Sequence, residues 1–270
     1  MNRSSMVATN IPWPAWLLRV GLVLLVLLGW PTLANGQDLE TDLGDRCLLA
    51  VQQQGYDQAI TLCSQALEIA DQNPDYWLSR GLARYHGGDF SQALVDDTQA
   101  LSLAPENFRA YYNRGLVYVA LHDFGAAIAD FDQALVWAAT PEALVEIYDD
   151  RGLAKLMAAQ PEQALADFDQ ALALAEGDVR TLFNHSCACH QLGRTEAALV
   201  DLNHLLRIDP DHARTYLKRG LLRCSLGDYA GGLADLQQAA HCAHLQGQTP
   251  LHHYILTLLN AWQSPALATG

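Results

Sequence analysis

A run of metal-ligating and redox-active side chains stands in the second half of the chain, in the stretch FNHSCACHQLG at 183–193. It places two histidines and two cysteines within six positions, at His185, Cys187, Cys189 and His190. Imidazole nitrogens and thiolates are the side chains that bind zinc, and thiolates also carry out disulfide exchange. The stretch therefore raises two chemical hypotheses, a metal site and a redox site, and the element that holds it decides between them.

On a helix, residues four apart share a face, whereas residues two apart do not. His185 and Cys189 would then lie together, and Cys187 would lie on another face. Two ligands make only half of a tetrahedral zinc site, and the sequence has no second Cys or His pair at a typical zinc spacing. We therefore predict no metal ligand. A thiol-redox or metal-binding protein that uses Cys187, Cys189 and His190 remains the alternative function.

The stretch lies inside a unit that repeats along the chain. Small residues mark this unit at successive spacings of 34, 34, 37, 34 and 34 residues: Ala59, Ala93, Ala127, Ala164, Ala198 and Gly232. Twelve positions before each of them stands another small residue or a cysteine: Cys47, Gly81, Gly115, Gly152, Ser186 and Gly220. A 34-residue period with small residues at fixed offsets is typical of a helix–turn–helix solenoid.

This unit resembles the tetratricopeptide repeat family, whose pattern is matched by Trp77, Gly81, Phe90, Ala93, Ala100 and Pro105 and, one repeat later, by Tyr111, Gly115, Tyr118, Phe124, Ala127, Phe131 and Ala134. The resemblance implies an all-α fold, a right-handed α-solenoid whose repeats lie at 40–73, 74–107, 108–144, 145–178, 179–212 and 213–246. We expect the three extra residues near Thr140–Ala143 to form a longer loop between repeats. Residues 250–263 are expected to form a capping helix, and 264–270 a disordered tail.

Residues 1–36 have the pattern of a secretory signal peptide. Arg3 and Arg19 precede the apolar run VGLVLLVLLGW at 20–30, and small residues follow it. The run is shorter than the roughly 20 residues that span a bilayer. We therefore expect cleavage and export to the periplasm or the cell exterior, with the repeats in residues 37–246. A signal anchor that holds the repeats outside the cytoplasm is the alternative.

The composition narrows the class of partner. Lys and Arg number 16 against 30 Asp and Glu, so the formal net charge is −14, and such a surface repels nucleic acid and anionic lipid. The sequence shows no nucleophile triad, glycine-rich phosphate loop or paired-carboxylate signature. We expect a non-catalytic protein without a cofactor. Its partner is expected to be a protein or peptide, not nucleic acid and, after cleavage, not a membrane; the oligomeric state stays open.

Charged residues recur with the same period as the small residues, a pattern here called the charge register. One position before the first small residue of a repeat stands a basic residue, and an acid follows it by sixteen positions in five repeats: Arg80 and Asp96, Arg114 and Asp130, Arg151 and Asp167, His185 and Asp201, Arg219 and Asp235. The first repeat has Arg46 but Leu62. Since a function seldom requires five equivalent charge pairs, we predict a partly buried, structural ion pair between the two helices of each of these five repeats.

In the family, the first helices line a concave groove, and the resemblance implies partner-binding residues there: Tyr85, Arg109, Tyr112, Leu116, Arg180, Phe183, Asn184, Arg214 and Lys218. Tyr112 and Phe183 are expected to be exposed aromatic anchors. Arg180 and Arg214 are expected to favour an acidic or carboxylate-bearing segment. Asn184, Arg214 and Lys218 match three of the five positions of the family's carboxylate clamp, whereas Asp149 and Leu153 depart from the other two.

The resemblance also places Cys47 and Cys63 at touching positions of the first repeat, so we expect a disulfide between them, with two buried free thiols as the alternative. A pairing of Cys187 or Cys189 with Cys224 is left open, and Cys242 is unassigned.

Overall fold

The computed structural model describes residues 36–263, and within that range it contains thirteen α-helices and no strand. The helices are α1 Gly36–Gln52, α2 Tyr56–Ile69, α3 Pro74–His86, α4 Phe90–Leu103, α5 Phe108–Ala120, α6 Phe124–Trp137, α7 Pro141–Met157, α8 Pro161–Leu174, α9 Val179–Gln191, α10 Thr195–Ile208, α11 Ala213–Ser225, α12 Tyr229–Leu245 and α13 Thr249–Gln263.

The helices pack in chain order. Each pair, from α1 with α2 to α11 with α12, forms one repeat, and the second helix of each repeat contacts the first helix of the next. The first helices of the first five repeats also contact one another from α1 to α9, so that they share one face of the stack. This arrangement is an α-solenoid, and the predicted all-α fold class is confirmed.

The turns inside the repeats follow from local sequence. The side chain of Asp89 accepts a hydrogen bond from the backbone nitrogen of Gln92 at 3.3 Å, and Asp123 accepts one from Ala126 at 3.1 Å. These bonds satisfy backbone donors that the first turn of a helix leaves free. Gly88, just before α4, has a φ of 80°, a conformation that glycine adopts without a Cβ clash.

The small residues of the repeat allow the two helices of a pair to approach closely. A Cβ on Gly115 would lie 2.7 Å from Cε1 of Phe131, and one on Gly152 would lie 2.6 Å from Cε1 of Phe168. Both phenylalanines are fully buried. A side chain at either glycine would displace a core ring, which is why the repeat period carries small residues there.

The predicted ion pairs between helices are confirmed. Arg114 donates from Nε to Asp130 Oδ2 at 2.7 Å and from Nη2 to Asp130 Oδ1 at 2.8 Å. Equivalent pairs join Arg80 to Asp96, Arg151 to Asp167, His185 to Asp201 and Arg219 to Asp235. The same basic side chains also reach the second helix of the preceding repeat, at Ser64, Thr98, Asp132, Asp169 and Asn203. The register therefore joins consecutive repeats as well as the helices of one repeat.

The extra residues of the third spacing do not form a longer loop, so that prediction is wrong. Only residues 138–140 separate α6 from α7, and α7 begins at Pro141 and has 17 residues, against 13 in α3, α5, α9 and α11. Thr140 Oγ1 accepts a hydrogen bond from the backbone nitrogen of Ala143 at 3.3 Å, and Pro141 suits the first turn of a helix. The inserted residues thus add a turn to α7, and the predicted repeat boundary after residue 144 falls inside this helix.

A disulfide lies in the first repeat, and a capping helix lies at the other end of the stack. Cys47 on α1 and Cys63 on α2 form a disulfide, with their Cα atoms 5.0 Å apart. At the other end, α13 covers α12 by burying Ile255 and Leu259 in one cluster with Ala239 and Ala243. Helix α13 thereby covers a face of α12 that has no further repeat against it, and the disulfide ties together the two helices of the first repeat.

Two predictions fall largely on residues outside the described range. The signal peptide at 1–36 overlaps the structure only at Gly36, and the tail at 264–270 does not overlap it. Both stay predictions. Among the helices of residues 36–263, none is long and apolar enough to cross a membrane.

Candidate partner-binding groove

The first helices of the first four repeats enclose a groove of about 720 Å³, here called the main groove. Its apolar lining comes from α1, α3 and α5: Leu48, Val51, Leu78, Leu82, Phe108 and Tyr112. Leu48 is 38% exposed, so this apolar surface is open to solvent. The face shared by the first helices is therefore the one that can receive an apolar segment.

The inserted turn of α7 forms one wall of the main groove. Thr140, Glu142, Ala143 and Glu146 all line it. Repeats of ordinary length begin their first helix about one turn later and lack this wall. The 37-residue spacing thus shapes the groove, an outcome that the prediction of a loop did not foresee.

The rim of the main groove is acidic. Asp75, Glu142 and Glu146 are exposed carboxylates in its lining, and Arg109 is an exposed guanidinium that lies 5.8 Å from the ring centre of Phe108. Three carboxylates against one guanidinium give the groove a negative potential.

A chain of hydrogen bonds and ion pairs, here called the polar bridge, crosses the shared face from α5 through α7 to α9. Tyr112 donates its hydroxyl to Asp150 Oδ2 at 2.6 Å, and Arg180 Nη1 donates to Asp150 Oδ1 at 3.0 Å. Arg180 Nε lies 2.9 Å from Asp149 Oδ2, and the side-chain amide of Asn184 donates to both oxygens of Asp149 at 3.1 and 3.0 Å. Five side chains from three repeats are thus held together.

Burial governs the electrostatics of the polar bridge. It raises the pKa of Asp149 and of Asp150, and the charge of Arg180 opposes this rise in both carboxyls. Burial and the nearby Asp150 raise the pKa of Tyr112, so the tyrosine hydroxyl remains a hydrogen-bond donor.

Three expectations for this face need correction. Arg180 was expected to attract a partner carboxylate, but two carboxylates of its own chain already bind it. Tyr112 was expected to be an exposed anchor, but it is half-buried and its hydroxyl is bound to Asp150. Asn184, assigned to a carboxylate clamp, donates instead to Asp149, the acid that departs from the clamp pattern.

Beyond the polar bridge lies a second, smaller groove of about 480 Å³. It contains the predicted residues Arg180, Phe183, Asn184 and Arg214, and the ring of Phe183 stands edge-on to His212 at 6.0 Å. The bridge therefore separates the predicted partner-binding residues into two groups, with Arg109 and Tyr112 in the main groove.

The remaining predicted groove residues line neither groove. The ring of Tyr85 lies 5.8 Å from that of Phe90, and Leu116 packs against the buried cluster around Phe131. Burial raises the pKa of the Cys187 thiol, and the charge of Lys218 opposes this rise. Burial and, second to it, the charge of Lys218 lower the pKa of His190.

The residues of the alternative function do not converge. Cys189 is 2% exposed and lies 3.7 Å from His185 Nδ1, whereas Cys187 is half-buried beside Lys218 and His190 is exposed. Burial raises the pKa of Cys189 to about 11, so its thiol is a poor nucleophile. Cys187, Cys189, Cys224 and Cys242 are all free thiols, so the pairing left open for Cys224 is not formed.

Sequence reasoning missed one buried acid, Asp97. It lies 34 residues after Cys63 and 34 before Phe131, at the core position of the repeat, and its side chain is fully buried. Neither of its carboxylate oxygens has a hydrogen-bond partner among the described residues. The repeat period could have identified this position, since the equivalent residues of other repeats are Phe168, Leu202 and Leu236.

Comparison with known proteins supports the repeat assignment. The tetratricopeptide repeat family model matches residues 45–97, 98–143 and 179–212. Among curated proteins, none matches the chain.

Solved structures with a similar fold include the following three. PilW, a widely conserved type IV pilus biogenesis factor, has a TM-score of 0.70 and 19% identity over 80% of this chain and 98% of its own. PilF of Pseudomonas aeruginosa has a TM-score of 0.68 and 17% identity over 82% and 98%. YrrB, a protein with an unusual peptide-binding site, has a TM-score of 0.55 and 21% identity over 72% and 97%. With these repeats and this solenoid, the chain belongs to the tetratricopeptide repeat family.

Proposed function

We propose that this protein is a non-catalytic scaffold that holds a peptide or helix of a partner protein in the main groove. The observation that carries the proposal is the solvent-open apolar lining of the groove, formed by the first helices of successive repeats. An apolar channel of this kind suits an extended peptide or the apolar face of a helix. The peptide-binding site of YrrB, a similar solenoid, supports the use of this fold for such a purpose.

The partner segment is expected to be apolar with basic flanks. Asp75, Glu142 and Glu146 line the main groove and oppose acidic segments, and the overall charge of −14 acts in the same direction. This reverses the partner charge that the sequence alone suggested. Such rim charges act chiefly on the association rate and its salt dependence.

We place the scaffold outside the cytoplasm, either free after cleavage or tethered by its apolar N-terminal segment. The signal-peptide pattern of residues 1–36 supports this placement. The disulfide between Cys47 and Cys63 also supports it, because disulfides persist in oxidising compartments. Sequencing the N-terminus of protein from the native host tests it; a start at Met1 in the soluble cytoplasmic fraction would contradict the placement.

The experiment for the groove is selection of peptides from a random display library, followed by affinity measurement. Leu48→Ser combined with Leu82→Ser should weaken the selected peptides about tenfold or more, because buried anchors often contribute about 2 kcal/mol each. Leu226→Ser is the matched control, since Leu226 is 51% exposed and lies outside the groove. Glu142→Gln with Glu146→Gln should slow association and flatten its salt dependence.

Equal affinity for the Leu48→Ser, Leu82→Ser variant and for the Leu226→Ser control would reject the main groove as the site. Cys187→Ser with His190→Ala tests the alternative function. Loss of peptide binding in that variant, with binding intact in the leucine variant, would favour a thiol-dependent or histidine-dependent role.

A further inference from the structure

The fifth repeat departs from its neighbours in one set of side chains. In three repeats, two cationic side chains four residues apart on the first helix share one aspartate of the second helix. Arg80 and Arg84 bind Asp96 at 2.8 and 2.6 Å. The equivalent sets are Arg151 and Lys155 with Asp167, and Arg219 and Arg223 with Asp235.

In the fifth repeat, the same three positions hold His185, Cys189 and Asp201. Both cationic positions are replaced together, one by an imidazole and the other by a thiol. These are two of the side chains that zinc prefers, and the third is a carboxylate, which zinc also accepts. The types of these three side chains therefore distinguish the cluster from the ion pairs at the same positions of the other repeats.

The geometry of the cluster fits a metal ion. His185 Nδ1 lies 2.7 Å from Asp201 Oδ2 and 3.7 Å from Cys189 Sγ, and one ligand atom from each residue lies within 4.8 Å of the others. Zinc bonds of about 2.0 to 2.3 Å in a tetrahedral arrangement separate neighbouring ligand atoms by about 3 to 4 Å. Small side-chain rotations bring the three atoms to those separations.

A fourth side chain supports the imidazole from outside. His185 Nε2 lies 3.4 Å from Asp169 Oδ1, on α8 of the preceding repeat. Metal-binding histidines nearly always donate their other ring N–H to such an acceptor. With Nε2 directed to Asp169, Nδ1 can bind a metal ion once it gives up the proton that it shares with Asp201.

The charges of the cluster are compatible with a divalent ion. Three other repeats surround one aspartate with two cationic side chains, whereas Asp201 faces one imidazole and a neutral thiol. A divalent ion would take the place of the proton between His185 and Asp201 and would balance the charges of one thiolate and one carboxylate. The site is also well enclosed, with Cys189 2% exposed and the side chains of His185 and Asp201 16% and 15% exposed.

We propose that His185 Nδ1, Cys189 Sγ and a carboxylate oxygen of Asp201 bind a zinc ion or a similar divalent transition-metal ion, with water as the fourth ligand. Binding releases the thiol proton of Cys189 and the Nδ1 proton of His185 to solvent and forms metal–sulfur and metal–nitrogen bonds. The ion joins α9 to α10 in the way that two cationic side chains and one aspartate join the helices of three other repeats. Cys187 and His190, which the sequence suggested as partners, are not part of the site.

The first test measures zinc uptake by the metal-free full chain with calorimetry and elemental analysis after dialysis. One equivalent is expected, and Cys189→Ala or His185→Gln should weaken its binding at least about tenfold. Cys187→Ala is the matched control, on the same helix but outside the cluster, and it should keep the wild-type affinity.

A surface histidine cluster could bind zinc on its own and must be separated from this site. The ring centres of His244 and His252 lie 5.2 Å apart, and those of His252 and His253 lie 6.0 Å apart. The measurements are therefore made with His252→Gln and His253→Gln also present. Loss of the zinc equivalent in this background, with no effect of Cys189→Ala, would overturn the proposal.

Cobalt substitution adds a spectroscopic test that can be made on the wild-type chain alone. Cobalt bound to the wild-type chain should show a thiolate-to-metal charge-transfer band in the near ultraviolet. The band should persist in Cys187→Ala and be missing in Cys189→Ala. Its absence from the wild-type protein with cobalt in excess would also overturn the proposal.

Discussion

Replacement of Asp97 by leucine should stabilise the protein at neutral pH. The side chain is fully buried at a core position, where other repeats carry Leu202 and Leu236. Burial raises the pKa of Asp97 to about 8; the charges of Asp96 and Asp130 raise it further, and that of Arg114 lowers it. Leucine fills the same position without a carboxyl group to desolvate.

The size of the effect follows from the two pKa values of Asp97. Below its ordinary pKa of 3.8 the carboxyl is protonated in both states, so it contributes no pH dependence. Between 3.8 and about 8 only the unfolded chain releases the proton, and the free energy of unfolding falls by about 1.4 kcal/mol per pH unit. At neutral pH the accumulated loss is about 4 kcal/mol in order of magnitude, so we expect a gain of about 2 to 4 kcal/mol from Asp97→Leu.

The assay is urea denaturation of both proteins, followed by circular dichroism, from about pH 5 to about pH 7. The stability difference between Asp97→Leu and wild type should widen by about 1.4 kcal/mol per pH unit, which isolates Asp97 from other titrating groups. Glu106→Gln is the control, since Glu106 is exposed, and it should produce no such widening. A difference that is independent of pH, or a leucine variant that is less stable than wild type at neutral pH, would refute the reasoning.

Two further predictions concern stability. Arg114→Ala should lower the free energy of unfolding by about 3 to 5 kcal/mol, because it leaves the buried carboxylate of Asp130 unpaired. The control Arg46→Ala breaks an exposed pair and should lose less than about 1 kcal/mol; equal losses in the two variants would contradict a buried role for the register. Peptide mapping without reduction should find Cys47 linked to Cys63, and reduction of this bond should lower stability by about 3 kcal/mol. Free alkylation of both thiols in native protein would contradict the pairing.

The sequence by itself determined the repeat and its internal register. Glycine at 115 and 152 and the arginine–aspartate spacing of sixteen residues recur with the period, and each reflects a contact between two helices joined by a short turn. Such contacts depend on helix geometry and turn length, which are local properties of the chain. Because the same pattern occurs in six copies, the sequence alone predicted the repeats and the solenoid, and both are present.

The tertiary structure decided what the irregular 37-residue spacing forms and which polar side chains pair between repeats. The 37-residue spacing is equally compatible with a loop and with a longer helix, and the cap at Thr140 selects the helix that walls the main groove. The sequence predicted Arg180 to be free for a partner, but the stacking of α7 against α9 brings Asp149 and Asp150 to it. The pairing of such side chains depends on the offset between successive repeats, and a pattern within one repeat does not contain that offset.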